Sequence, residues 1–118
     1  MSLVRIARDP VLVSDPRLVH LLTDIRQIVA DALTIPGTDG ELHSHEIEME
    51  VRDFGSFDQP GKYSLEITVL ANEYPERRAN LDERREKIIA GVKDALPNFP
   101  PGRGYVWVLL MPGSFGEF

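Results

Sequence analysis

His45-Glu46-Ile47-Glu48-Met49-Glu50-Val51-Arg52-Asp53-Phe54 decides the fold, through its own pattern and through what lies on either side of it. Ile47, Met49 and Val51 fall on one side of an extended chain, and Glu46, Glu48, Glu50 and Arg52 on the other. That period of two is the mark of a half-buried strand. Upstream, Asp15–Leu33 carries Leu18, Leu21, Leu22, Ile25, Ile28, Val29, Ala32 and Leu33 at helical spacing, with Arg17, Asp24, Arg26, Gln27 and Asp31 off the stripe. Before that helix, Leu3–Arg8 is a short, mostly apolar run that reads as a strand. Downstream the same order recurs. Tyr63–Glu73 alternates as a strand, Asn80–Leu96 has a helical stripe at Leu81, Ile88, Ile89, Val92, Ala95 and Leu96, and Gly104–Met111 is a last strand. The chain is therefore a doubled β-α-β unit.

Local signals punctuate the elements. Asp15 reads as the N-cap of the first helix, with Pro16 in the first helical position, where its missing N–H costs nothing. Pro36-Gly37 ends that helix, and Thr38–Leu42 is loop. Gly55–Gly61 contains Pro60-Gly61 and reads as a hairpin-like connection, so the strands on either side of it are expected to pair antiparallel. Glu73–Arg78 reads as a polar turn around Pro75. Asn80 and Glu83 have capping-box spacing, and Glu83 with Lys87 makes an i,i+4 pair. Pro97 stops the second helix. Tyr105–Met111 is apolar on both faces, as a central strand would be. The fold class is α+β: β-α-β-β-α-β, a four-stranded sheet with two helices on one face. The other face lacks a cover from this chain, which implies burial against further copies in a homo-oligomer.

Bulk properties bound the function. A chain of 118 residues fits one domain, here spanning 1–118, and 42% hydrophobic with 27% charged residues is ordinary globular composition. The absence of cysteine excludes disulfides, thiolate metal sites and cysteine nucleophiles. A net charge of −6 argues against nucleic acid as a partner, which requires a basic face. No apolar run approaches the ~20 residues of a membrane span, and Met1-Ser2-Leu3-Val4-Arg5 lacks a signal-peptide core, so no membrane is expected and the location is expected to be cytoplasmic. Ten arginines stand against Lys62, Lys87 and Lys93, a bias that suits bidentate carboxylate recognition.

Several residues could carry chemistry. Arg77 and Arg78 stand just before the second helix and could hold a carboxylate; alternatively they are solvated turn residues. Arg52 is a further carboxylate-binding candidate, or a cross-strand partner of a glutamate such as Glu66. Glu46, Glu48 and Glu50 line one strand face, as solvated groups or, if buried at an interface, as general acids or bases. His43 and His45 form an H-x-H pair, too weak a motif by itself to assign a metal. His20 sits beside the apolar stripe and reads as structural. Phe115 and Phe118 could wall a pocket or pack on a neighbouring subunit. Ser114 has no elbow motif around it.

With these residues in view, the chain resembles the tautomerase superfamily, which includes 5-carboxymethyl-2-hydroxymuconate isomerase, macrophage migration inhibitory factor and the cis-3-chloroacrylic acid dehalogenases. Leu3-Val4-Arg5-Ile6 resembles the family's first strand. Glu66-Ile67-Thr68-Val69-Leu70 followed by Arg77-Arg78-Ala79-Asn80-Leu81 resembles its strand, arginine and second helix, and Val106-Trp107-Val108 with the Gly/Phe tail resembles its end. The resemblance implies a homotrimer that shifts a proton on a small 2-oxo or 2-hydroxy-unsaturated carboxylate, with no metal or organic cofactor. It places the substrate carboxylate on Arg77, Arg78 or Arg52, with Phe115 against the substrate. Ser2 stands where the family has its catalytic amino-terminal proline. Serine has no ring nitrogen, and a chain starting at Met1 offers a primary α-amine of pKa ~7.7–8.0 in its place. A non-catalytic tautomerase-like protein, or a ferredoxin-like module that binds a ligand or partner through its sheet, remains the alternative.

Overall fold

The structure, a computed structural model, describes residues 2–118; Met1 and its α-amine lie outside the described residues. Eight short elements follow in order: β1 (Ser2–Arg8), α1 (Asp15–Leu33), a single 3-10 turn (Ser44–Glu46), β2 (Ile47–Asp53), β3 (Leu65–Asn72), α2 (Pro75–Ala79), α3 (Leu81–Ala95) and β4 (Gly104–Met111). The strands form one mixed sheet in the order β2-β1-β3-β4. β1 runs parallel to β2 and antiparallel to β3, and β3 runs parallel to β4. Each parallel pair is closed by a helical crossover on the same face.

The expected antiparallel pairing of β2 with β3 does not occur; β1 lies between them. The connection from Phe54 to Ser64 is long enough to step over one strand, since two strand spacings are only ~10 Å. β4, expected at the centre, is an edge strand. Its double apolar pattern has another cause. Val106, Val108 and Leu110 pack on the core under α3, while Tyr105, Trp107, Leu109 and Met111 fall on the uncovered face.

The core lies between sheet and helices. Val4 and Ile6 of β1 and Leu65, Ile67, Val69 and Ala71 of β3 meet Leu21, Ile25, Val29 and Leu33 of α1 and Ile88 of α3. The two long helices cross closely at Gly91. A Cβ there would come within 2.7 Å of Ile28 Cγ2 and 2.9 Å of its Cγ1, so only glycine allows this approach. His20 joins the same helices through a 2.7 Å hydrogen bond between Nδ1 and the Ala95 carbonyl, which fits its structural reading.

Local details depart from expectation for identifiable reasons. Ser14, not Asp15, is the N-cap of α1, and it makes no side-chain cap bond. The Asp15 carboxylate is taken instead by Arg8 at 2.5 Å. Arg8 is itself buried and also donates to Asp53 Oδ1 at 2.7 Å and to the Val13 carbonyl at 2.8 Å. One guanidinium thus ties the end of β1 to the end of β2 and the start of α1. The bonds to Asp53 and then Asp15 raise its pKa. Asn80 precedes α3 but makes no cap bond; its Oδ1 accepts from Arg84 Nε at 2.7 Å. The described ion pairs of α3 are Arg85 with Asp82 and Glu86, not Glu83 with Lys87. The segment around Pro75 is helical because proline starts a helical turn well.

Candidate functional site

α1 has no basic residue in its last turn. Its C-terminal carbonyls, which carry the negative end of the helix dipole, are met by arginines from elsewhere. Arg84 Nη1 donates to the carbonyls of Ala32 at 3.1 Å and Thr34 at 3.2 Å. Arg77, on α2, donates through Nε to the Leu33 carbonyl at 2.9 Å, through Nη1 to Asn72 at 3.0 Å and through Nη2 to Gly40 at 3.0 Å. Arg77 is therefore no solvated turn residue; it is only 3% exposed. It stacks over Tyr74 at 5.0 Å and has no carboxylate partner among the described residues. Burial, followed by the neighbouring charge of Arg84, pushes its pKa down. A guanidinium has five N–H donors and three are used, so two remain for another acceptor.

Arg77 lines a cleft of about 320 Å³ together with Ser2, Asn72, Tyr74 and Phe115. Ser2 opens β1 and pairs with Ile47 on one side and Ala71 on the other, which holds it at the base of the cleft. It is 1% exposed, and its Oγ is a buried side-chain oxygen with no hydrogen-bond partner among the described residues. Such an orphan hydroxyl costs on the order of 1–3 kcal/mol unless something fills it. Phe115, from the C-terminal tail, separates this cleft from a second hollow of about 260 Å³ that also reaches Ser2, lined by Leu3, Leu70 and Met111. Carboxylates from the 38–42 loop, the 3-10 turn and β2 rim the first cleft: Asp39, Glu41, Glu46 and Glu48.

The structure thus brings together three of the five residues expected at the site: Ser2, Arg77 and Phe115. The other two stand elsewhere. Arg78 is exposed and pairs with Glu73. Arg52 pairs with Asp58 at 2.7 Å, not with Glu66. It lies five residues along β2 from Ile47, the partner of Ser2, a separation of ~16 Å. Glu50, on the same side of β2 as Glu48 but two residues further along, pairs with Arg5 at 3.0 Å, whereas Glu46 and Glu48 line the cleft. Asp39, Glu41, Asn72 and Tyr74 have no motif in sequence; Asn72 ends β3 and Tyr74 precedes α2, and the 38–42 loop returns onto them through the Gly40 carbonyl, which accepts from Arg77, and the Asp39 carbonyl, which accepts from the Tyr74 hydroxyl at 3.3 Å. His43 and His45 are exposed and stack at 5.8 Å. Among the described residues no group of three or more His, Cys, Asp or Glu side chains is placed to hold a metal.

Other hollows lack this chemistry. One of about 520 Å³ lies on the uncovered sheet face, over the Arg5–Glu50 pair, Thr68 and Tyr105. Another, of about 460 Å³, lies at the opposite end of the sheet from Ser2, walled by Leu65, Val92, Leu96, Phe99 and Val106. Neither contains an orphan buried polar atom. Among the described residues no helix is long and apolar enough to cross a membrane.

No protein-family model matches the sequence, and no curated protein matches it. Solved structures do. A member of the cis-3-chloroacrylic acid dehalogenase family called N1 superposes with a TM-score of 0.64 at 15% identity, over 98% of this chain and 80% of that one. Malonate semialdehyde decarboxylase gives a TM-score of 0.63 at 16% identity, over 98% and 91%. An asymmetric trimer of wild-type fused 4-OT gives 0.62 at 13% identity, over 98% and 91%. These are tautomerase-superfamily proteins, and the β-α-β-β-α-β sheet with its helices on one face is the tautomerase fold.

Proposed function

We propose that this tautomerase-fold chain is an isomerase that shifts a proton on a small 2-oxo or 2-hydroxy-unsaturated carboxylate, bound in the cleft between Ser2 and Arg77. The observation that carries the reading is Arg77: a buried cation without an anionic partner, lining the same cleft as a buried hydroxyl without a partner. A substrate carboxylate on the two remaining N–H groups of Arg77 would supply the missing counter-charge. The carbonyl or enol oxygen would accept from Ser2 Oγ–H, which stabilises the enolate where its charge develops. The proton leaves the carbon next to that carbonyl and one is returned to the enolate oxygen, and ketonisation is the same transfer in reverse. The proton's carrier is the amine at the start of β1 or the Glu48 carboxylate, which faces the cleft from β2. The reading includes one domain, a cytoplasmic location, no cofactor, and a homotrimer formed through the uncovered sheet face. The trimeric assembly of fused 4-OT supports the last point.

The test is the ketonisation of phenylenolpyruvate, followed by ultraviolet absorbance. This chain, with Ser2 where the family has its proline, should be weakly active, and Glu48→Gln should remove that activity. A Ser2→Pro chain with the proline as its free N-terminus should be faster. Strong activity that survives Glu48→Gln would displace Glu48 as base. No activity in any version would favour the alternative, a non-catalytic tautomerase-like or ferredoxin-like module that binds a ligand or partner.

A further inference from the structure

The charge around the cleft is unbalanced in a way that the proposed substrate does not explain. Its lining holds five carboxylates, Asp39, Glu41, Glu46, Glu48 and Glu117, and one guanidinium, Arg77. Glu46 accepts a hydrogen bond from the His43 backbone at 2.9 Å, and Glu41 stands 3.9 Å from His43 Nε2. Asp39, Glu48 and Glu117 have no ion pair among the described residues. A plain monocarboxylate entering this cleft would meet one cation at the base and a ring of like charge around it. Such a field disfavours anions and selects for a ligand with positive charge at its other end.

The 38–42 loop makes the arrangement specific. The Gly40 carbonyl is bonded by Arg77, and its two neighbours, Asp39 and Glu41, line the same cleft. Arg77, which could take an anion, and Asp39 and Glu41, which could take a cation, are therefore held next to one another through the Gly40 carbonyl. Ser2, whose buried hydroxyl has no hydrogen-bond partner among the described residues, lines the same cleft. From this juxtaposition we infer that the ligand is a small zwitterion, an amino-substituted oxo or enol acid. Its carboxylate lies on Arg77 and its ammonium group on Asp39 and Glu41. The inference rests on the reading of the cleft as a carboxylate site and adds the second charge.

Calorimetric titration with stable probes tests it. Propanoate and butanoate carry the carboxylate alone; β-alanine and 4-aminobutanoate add an ammonium group. At least one amino acid should bind about tenfold or more tighter than its matching monocarboxylate. The paired Asp39→Asn and Glu41→Gln variant should lose that preference while keeping monocarboxylate binding. Both residues are on an exposed loop, and the bond that matters to Arg77 uses the Gly40 backbone, so the variant should fold; circular dichroism checks that it has. Equal binding of amino acid and monocarboxylate, no binding of any amino acid, or a preference that survives the double variant would overturn the inference. The underlying reading is judged separately: phenylenolpyruvate turnover with no amino-acid preference would leave it standing.

Discussion

Arg77 and Ser2 show how differently two site residues relate to sequence. Each could be singled out from its position alone, but the reasons they matter are tertiary. Arg77 is held by three carbonyls from α1, β3 and the 38–42 loop, and nothing in Pro75-Glu76-Arg77-Arg78 separates it from its neighbour. The structure does separate them, and so do predicted stabilities. Arg77→Ala strips a charged donor from three carbonyls and should cost about 2–4 kcal/mol in urea unfolding. Arg78→Ala, exposed, should stay within about 0.5 kcal/mol of the natural chain. The difference between the two arginines is legible only in the fold, because side-chain bonds to distant carbonyls leave no local pattern. Ser2→Ala should run the other way. Removing an unpartnered buried hydroxyl should stabilise the fold by about 1 kcal/mol while weakening ligand binding. Destabilisation by that variant would mean the hydroxyl has a partner in solution.

At the scale of elements, the two long helices were legible; the short α2, which reads as a polar turn, and the strand order were not. α1 and β4 match their sequence boundaries because Pro16, the Leu/Ile stripe and Gly104 fix them locally. The position of β1 between β2 and β3 depends on packing across the sheet, and the short linker suggested a hairpin that does not form. The crossing of α1 and α3 at Gly91 gives an element-scale prediction. Gly91→Leu should destabilise by roughly 1–3 kcal/mol through overpacking against Ile28. Gly91→Ala should not return the ~1 kcal/mol that alanine normally gains over glycine in a helix. The turn after β2 gives another. Asp58 accepts from the Gly55 N–H at 2.5 Å and from Arg52 at 2.7 Å. The backbone bond first, and Arg52 second, hold its carboxyl below the ordinary 3.8. A carboxyl lowered on folding contributes fully above its unfolded pKa and loses that contribution as pH falls through the folded one. The turn should therefore loosen only below about pH 3.8, and an Asp58 titration by NMR with a midpoint at or above that value would contradict the hydrogen bonds.

For the whole molecule, one sheet face is covered by helices and the other presents Leu70, Leu109, Trp107 and Met111, with Trp107 58% exposed. Such a face suits contact with further copies. Light scattering should give close to three times the 13.3 kDa chain mass, and a stable monomer would contradict the trimer. The central claim is that ligand binds between Ser2 and Arg77, and not in the larger apolar hollow at the far end of the sheet. Titration of phenylpyruvate into isotopically labelled protein, followed by backbone amide shifts, tests this directly. The account predicts saturable shifts at Ser2, Gly40, Asn72 and Arg77 and none at Leu65, Phe99 or Val106; shifts at the second group with a silent first group would contradict it.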